Sequence, residues 1–418
     1  MENNYKIIRD PIHGDIKITG AFLELVETPE LQRLYNIKQL GFAHLVFPGA
    51  HHTRLEHSLG TFSVALKIAE NLQLDKDDRN LVTYAALLHD IGHGPFSHTL
   101  ESIILDYFGV DHIDLTEKLI LGDYDIFQSN EKQFIDSLTV TEILEKYNIN
   151  KKNVIDIIRG RYSKKTYLHQ ILNSTIDVDQ LDYLVRDAYY TGVAYGLIDI
   201  ERFQQTLTIH ENKLSILRKG VNVVENILMA RGLMYSSVYF HKTVRIAELM
   251  LSKALEELSD IEPLDFFKMT DSEITSVLKN LGKFQDEMIT RLKYRKLFKQ
   301  AYTVSFSELD NEKIKILKNY EDRNYKKEKE SEFEKKFNIT KGHLIIDIPR
   351  PELLRAEPRI NRTDIFVIDK NESNKLDNYT PIAKAIRSRI TPDWALMIIT
   401  DERYRDIVSR NAEKIIYN

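Results

Sequence analysis

Cysteine occurs nowhere in these 418 residues. Its absence removes disulfides, thiolate metal sites and cysteine nucleophiles together, so any metal held here must be bound by His, Asp and Glu. No apolar run approaches the roughly 18 residues that read as a membrane span. The polar segment from Met1 to Asp10 carries no apolar signal core. An excess of one charge is lacking too: 58 basic residues face 63 acidic ones, a net −5. That balance argues against a generic nucleic-acid coat and leaves room only for a local basic pocket. Internal repeats are missing. These absences lead to the expectation of a cytoplasmic protein with no membrane partner. With 43% hydrophobic residues there is material for a sizeable core in two or three domains.

What the chain does have is histidine concentrated in one region. Of 13 histidines, seven (His51, His52, His57, His89, His93, His98 and His112) fall in the short span from 51 to 112. The centre of this region is the stretch from Tyr84 to His98. Its first half, Tyr84-Ala85-Ala86-Leu87-Leu88, reads as a buried helix. Placing His89 and Asp90 at the end of such a run is costly unless something binds them. An imidazole beside a carboxylate is a ligand mixture suited to a divalent metal. His93 lies about one turn further along the same face. Gly92, Gly94 and Pro95 then break the helix, and Ser97 can cap the next one, which puts His98 in its first turn.

The remaining segments supply further elements. Tyr5 to Ile18 alternates weakly around the turn Asp10-Pro11-Ile12-His13-Gly14 and predicts a short strand or hairpin. Thr28-Pro29-Glu30 opens a helix predicted over Leu31–Leu40, with Gly41 as its stop and a loop from Phe42 to Ala50. Thr53-Arg54-Leu55-Glu56 fits a capping box. Behind it Leu55, Leu59, Phe62, Leu66 and Ala69 form an apolar stripe, with Arg54, His57 and Thr61 on another face. Asp111-His112 starts a helix reaching Ile120, and residues 121–153 look helical and mixed. From Ile176 to Tyr190, Leu181, Leu184, Val185 and Ala188 face a core, while Asp179, Tyr183 and Asp187 recur every four residues on another side. A solvated stripe has the same spacing, but Asp182 and Asp187 crowd this helix and favour a cation or a sugar hydroxyl. Near Val221 a long helix begins, with Arg231, Tyr235, Tyr239 and Lys242 along one side; the alternative reading of that spacing is an amphipathic surface helix. The charged run Glu321 to Lys336 reads as a solvated helix or connector. Short β-type runs follow at His343–Ile348, Asp364–Asp369 and Trp394–Thr400, separated by Pro349, Pro351 and Pro358. The fold expected is mainly α: a helical core over 1–304 and a smaller α+β lobe over 305–418.

Together these motifs resemble the HD-domain superfamily of metal-dependent phosphohydrolases, and within it the dNTP triphosphohydrolase branch. The resemblance rests on Asp10-Pro11-Ile12-His13-Gly14, on Gln32-Arg33-Leu34 with Ile37-Lys38-Gln39-Leu40-Gly41, and on Phe47-Pro48-Gly49-Ala50 with Arg54-Leu55-Glu56-His57-Ser58-Leu59-Gly60. It continues through His89-Asp90-Ile91-Gly92-His93-Gly94-Pro95-Phe96-Ser97-His98. It ends with Asp177-Val178-Asp179, Asp182-Tyr183 and Arg186-Asp187. These motifs cover roughly residues 5–255, and the second lobe matches less well.

The resemblance implies an HD-domain helical core with His57, His89, Asp90 and Asp179 as ligands of a divalent metal, whether Mg, Mn, Fe, Ni or Zn. It implies that Arg54 and Arg231 clamp phosphates and that His93 and His112 sit beside the α-phosphate. His98 would be the general acid for the 5′-oxygen of the leaving deoxynucleoside. Tyr183 would close on the sugar at C2′ and Asp187 would accept from the 3′-hydroxyl. Gln39 and Leu40 would meet the base, with Gln180, Tyr235 and Tyr239 completing the dNTP pocket. A regulatory nucleotide would contact Lys6, Glu27 and Gln32. Tyr35, read otherwise as packed in its helix, stands where the best-known member has an arginine. Arg355, Arg359 and Arg362 would close over phosphates in a homo-tetramer or dimer. Two positions depart from the pattern: Ile113 replaces the usual Glu, and Gln180 replaces a lysine. Three functions are therefore carried forward. The first is dNTP triphosphohydrolysis; the second is HD phosphohydrolysis of another nucleotide or a nucleic-acid end. The third is a nucleotide-binding regulator with little turnover.

Overall fold

The structure, a computed structural model, describes residues 5–97, 109–128, 130–256, 263–349, 365–370, 372–387 and 393–417. The chain is mainly helical, and its C-terminal part contains strands. It divides into two compact units. The first comprises Met1–Met234, Ile261–Ile274 and Arg359–Ile386; the second comprises Tyr235–Asp260, Thr275–Pro358 and Arg387–Asn418. The expected break after residue 304 lies inside the second unit.

Five helices frame the first unit: α1 (Arg54–Asn71), α2 (Lys76–Leu88), α3 (His112–Leu121), α4 (Val178–Thr191) and α5 (Val221–Met234). Local chemistry fixes where they start. Thr53 and Glu56 form a reciprocal capping box at α1, with the Glu56 carboxylate accepting from the Thr53 N–H at 2.6 Å. Asp177 caps α4 by accepting from the Gln180 N–H at 3.0 Å. α1 packs against α2 and α4. Leu55, Val64, Ala85 and Leu88 are fully buried there, and large side chains of this kind each contribute about 1.5–3 kcal/mol on burial. α2 ends at Leu88, so His89 and Asp90 stand just past its last turn.

The N-terminal segment is a hairpin, Tyr5–Asp10 paired with Gly14–Thr19. The helix expected over Leu31–Leu40 is cut short. It runs from Pro29 to Arg33, followed by a 3-10 turn over Leu34–Asn36. Ile37 is extended because this segment pairs with the start of α1 instead. The Arg54 N–H donates to Ile37 O at 3.0 Å, and the Gln39 N–H donates to His52 O at 3.0 Å. Tyr35 is half exposed rather than packed in a helix. A four-stranded sheet holds Leu207–His210, Lys213–Leu217, Phe366–Asp369 and Glu372–Lys375 in that order. The sequence pattern assigns Phe366–Asp369 to the C-terminal lobe. It belongs to the first unit because it pairs in parallel with Lys213–Leu217, burying Val367 completely.

The long helix expected from Val221 is buried and interrupted. Val224, Ile227, Leu228 and Arg231 are all inaccessible. A π-turn over Tyr235–Tyr239 ends it, and the next helix, α6, covers Lys242–Glu256. In the second unit α6 is joined by α7 (Lys283–Lys293), α8 (Arg323–Phe337) and α9 (Arg405–Ile416). These helices accompany an antiparallel sheet in which Leu396–Thr400 lies between Lys299–Val304 and Leu344–Asp347. Every residue of the central strand is buried. The charged run 321–336 is largely α8, yet it is pinned: Phe333 joins the apolar core, and Glu330 accepts from Lys253 at 2.6 Å.

Candidate metal centre

Three helices bring two imidazoles and two carboxylates to one point. From α1, His57 Nε2 lies 3.1 Å from Asp179 Oδ1 and 3.9 Å from Asp90 Oδ2. From the end of α2, His89 Nε2 lies 3.2 Å from Asp90 Oδ1 and 3.8 Å from Asp179 Oδ1 of α4. The opposite ring nitrogens are engaged elsewhere, which aims both Nε2 atoms inward. His57 Nδ1 meets Asp182 Oδ2 at 2.8 Å, and His89 Nδ1 meets Ala86 O at 2.9 Å. His89 Nε2 is buried with no hydrogen-bond partner. A lone pair in that position fits a cation, and His57, His89 and Asp90 are placed to hold a divalent metal.

Burial works against ionisation of every group here, and the charges around each one overcome it. Desolvation lowers the His57 imidazole, but Asp179 and Asp182 raise it further, to about 10. His89 is raised by Asp90 and Asp179 against the same burial. Asp90 is held well below the usual carboxylate range: burial opposes this, and His89, His93 and Arg54 outweigh it. Asp179 is likewise held low by His57 and His89 against burial. A pocket this negative holds either protons on its histidines or a cation, and cation binding there releases protons.

Behind His57 stands a buried ion network that the sequence reading missed. Asp182 Oδ1 meets His13 Nε2 at 2.6 Å, and both its oxygens accept from Arg186, at 2.9 and 3.0 Å. Arg186 also donates to Asp10 Oδ2 at 2.8 Å. The other Asp10 oxygen accepts the N–H groups of Ile12 and His13. The turn Asp10–Gly14 is thus tied through Asp182 to His57, the carboxylate–histidine arrangement that orients a metal ligand. Asp182 was expected to add to negative density on a cation-binding face; it is instead neutralised by Arg186. The spacing of Asp182 and Arg186, four residues apart on one helix, was the available signal.

Arg54 is 2% exposed. It donates to Asp90 Oδ2 at 2.6 Å and to Ser97 Oγ at 2.8 Å, while its Nη2 is buried without a partner. His93 lies beyond α2, not on its face, and reaches Asp90 through the turn, Nε2 to Oδ1 at 3.4 Å. Its ring stacks on His112 of α3 with centroids 3.9 Å apart. Burial beside Arg54 and His112 lowers His93 to about 3.

The other expected residues fall as follows. Gln39 and Leu40 are buried, and Gln39 Oε1 has no hydrogen-bond partner. The Tyr183 ring centroid lies 6.4 Å from that of His57. Asp187 is buried and meets His52 Nε2 at 2.8 Å. Arg231 donates to Thr175 O at 3.0 Å and to Gln180 Oε1 at 2.8 Å. Tyr235 and Tyr239 belong to the second unit, their rings 5.1 Å apart. Lys6 pairs with Glu27 on the surface, and Gln32 donates to Val26 O at 2.7 Å. Ile113 follows His112 at the start of α3. His98, Arg355, Arg359 and Arg362 lie outside the described residues.

Two imidazoles and two carboxylates projecting from packed helices beside an arginine form a donor set suited to a divalent metal. The comparisons agree. The HD domain model matches residues 54–187, and the HD associated region model matches 198–417. The chain belongs to the HD-domain family of phosphohydrolases. It is 33% identical over 413 residues to an uncharacterised protein of Methanocaldococcus jannaschii, covering 98% of this chain and 82% of that one. It is 26% identical to the deoxynucleoside triphosphate triphosphohydrolase SAMHD1 of Homo sapiens, over 98% of this chain and 70% of that one. The solved structure of a phosphohydrolase from Bacteroides thetaiotaomicron superposes with a TM-score of 0.70 at 26% identity, covering 96% of this chain and 100% of the other.

Proposed function

We propose that this chain is a metal-dependent deoxynucleoside triphosphate triphosphohydrolase, converting dNTP and water to deoxynucleoside and triphosphate. The observation that carries the reading is the orphaned His89 Nε2 among His57, Asp90 and Asp179, with the spare Nη2 of Arg54 alongside. Similarity to an enzyme named for that reaction, along 98% of the chain, supports it.

In this reading His57, His89, Asp90 and Asp179 would hold Mg, Mn, Fe, Ni or Zn, which when bound would supply Lewis acidity toward water and the phosphate oxygens. Arg54 and Arg231 bind phosphate oxygens, with guanidinium geometry suited to paired acceptors. His93 and His112 stand beside the α-phosphate. His93 does so as a neutral imidazole, since burial keeps it low. A water oxygen bonds to the α-phosphorus as the P–O5′ bond breaks, the leaving 5′-oxygen takes a proton from His98, and the water's proton passes to solvent. Gln39 offers its unpartnered carbonyl oxygen to the base, beside Leu40. Tyr183 packs at C2′, Asp187 meets the 3′-hydroxyl, and Gln180 completes the pocket within the first unit. A regulatory nucleotide at Lys6, Glu27 and Gln32, a homo-oligomer and a cytoplasmic setting belong to the same reading.

Product analysis tests it directly. Each dNTP and NTP is incubated with the protein and one divalent metal at a time, and the products are separated by ion-exchange chromatography. Deoxynucleoside plus triphosphate, with dNTPs ahead of NTPs, is the expected result. Pyrophosphate or monophosphate would point to another nucleotide substrate. Binding without any product would point to a regulator, a reading favoured by Gln180, whose amide oxygen already serves Arg231.

A further inference from the structure

The turn that carries His93 is held from below by a buried cation, Arg33. Arg33 is 8% exposed, and no carboxylate lies within ion-pair distance of it among the described residues. Its Nη2 donates to Ile91 O at 3.0 Å and to His93 O at 2.7 Å, and its Nη1 donates to Met269 O at 3.3 Å. Burying a guanidinium against carbonyls alone is costly, and the cost persists only where the geometry needs it. Here the two carbonyls flank Gly92, so a single nitrogen, Nη2, ties both ends of the turn. From the opposite side Thr116 Oγ1 accepts the Gly92 N–H at 3.0 Å and donates to His89 O at 3.2 Å. A Cβ on Gly92 would collide with the His112 carbonyl, so the turn sits as close to α3 as a backbone can.

A second buried group completes the clasp. Asp271 is 8% exposed, and its two oxygens accept two backbone N–H groups: Phe96 at 2.9 Å and Lys38 at 3.0 Å. Phe96 precedes Ser97, whose hydroxyl accepts from Arg54, which in turn holds Asp90. Lys38 precedes Gln39. Asp271 therefore links the segment carrying Gln39 to the loop that seats Arg54.

We infer that Arg33 and Asp271 are positioning residues: by clamping the segment from Ile91 to Ser97 they set His93 and Arg54 against Asp90. Neither touches the metal donors, so metal affinity and turnover should separate. The kinetic arm of this inference rests on the hydrolase reading above; the exchange arm does not.

Arg33→Lys keeps the charge but ends one atom short of Nη2 and has no second nitrogen for Met269 O, and Asp271→Asn keeps the shape but can accept from only one of the two amides. Each variant is compared with the parent by hydrogen exchange over residues 89–97, by Mn²⁺ titration and by steady-state hydrolysis of dGTP. Faster exchange confined to 89–97 is expected, with Mn²⁺ stoichiometry unchanged. Alongside it, kcat should fall by about tenfold or more with KM altered less than about twofold, as small misplacements of catalytic groups do. Exchange over 89–97 equal to the parent's in both variants overturns the inference. So does a fall in kcat matched by an equal loss of Mn²⁺, or faster exchange throughout the chain, since either marks a general structural role. Should the parent hydrolyse no dNTP, the proposed function falls, while altered exchange confined to 89–97 still supports the clasp.

Discussion

Gly60 of α1 lies directly against the Asp182 carboxylate of α4, with no room between them for a methyl group. A Cβ there would also run into the Arg186 guanidinium. Alanine normally gains about 1 kcal/mol over glycine inside a helix, so the sign of Gly60→Ala tests which effect wins. Overpacking a buried site costs about 1–3 kcal/mol, and here it would also push Asp182 off His57. Gly60→Ala is expected to melt at a lower temperature than the parent and to bind Mn²⁺ more weakly. A higher melting temperature with full metal content would contradict the close approach.

Asp182→Asn addresses the same contact from the other side. Removing the charge leaves His57 less firmly aimed and Arg186 with Asp10 as its remaining carboxylate. Loss of an outer carboxylate behind a ligating histidine lowers metal affinity by about 10–100-fold. Elemental analysis after dialysis against micromolar Mn²⁺ should show depletion relative to the parent, with far-UV circular dichroism unchanged.

The start of α1 and the end of α2 were legible in the chain as helical landmarks, while the donor set itself was legible only through the resemblance to the HD-domain superfamily. The Thr53–Glu56 box announces α1 and so places His57. The Ala/Leu run announces the end of α2 and so places His89 and Asp90, and Asp177 caps the helix carrying Asp179. What escaped were groups whose partners are remote in sequence. Asp182 reads as one more acidic residue until His13, 169 positions away, is seen against it. Arg33 reads as a helix residue until the carbonyls of Ile91 and His93 are found at its tips. The helix expected over 31–40 failed for the same reason: pairing of residues 37–39 with 52–54 overrode local propensity.

Glu30 gives a pH dependence whose sign can be worked out. Burial raises its carboxyl to about 7, against which the N–H groups of Glu30 and Val140 pull only partly. Between an ordinary value near 4.5 and 7 the unfolded chain has lost this proton while the folded chain keeps it. Stability from this group therefore falls as pH rises through that window and is level above it. Glu30→Gln keeps an acceptor for the Val140 N–H, now held at 3.1 Å, and removes the fall. At pH 8 the variant should be more stable by about 1–3 kcal/mol, and at pH 4 nearly equal to the parent. Urea melts at both values decide it.

Gln180→Lys asks whether the amide or a second cation suits this pocket. Gln180 is 1% exposed and accepts from Arg231. An ammonium there would face the guanidinium in a dry setting and take away its acceptor. The substitution is expected to lower kcat/KM at least tenfold, about 1.4 kcal/mol in barrier terms, and to lower the melting temperature. Raised turnover would show instead that the site lacks positive charge.

Assembly is open to light scattering. Tyr35 is half exposed and Lys6 pairs with Glu27, and no arginine stands at position 35 to read a guanine. A homo-oligomer, tetramer or dimer, is expected to form without GTP. A monomer that assembles only on addition of GTP would count against this.

The sheet that joins Lys213–Leu217 to Phe366–Asp369 has a consequence for how the protein can be made. The polypeptide passes back and forth between its two units, returning to the first for Arg359–Ile386. Ribosomal synthesis therefore delivers the metal-binding helices long before the strand that completes their unit, and Ile216 waits for Val367, about 150 residues further along. A shortened gene ending near residue 304 would leave an open parallel strand edge with nothing to cover it. A cut of the gene into two halves at that point would therefore part Lys213–Leu217 from its sheet neighbour.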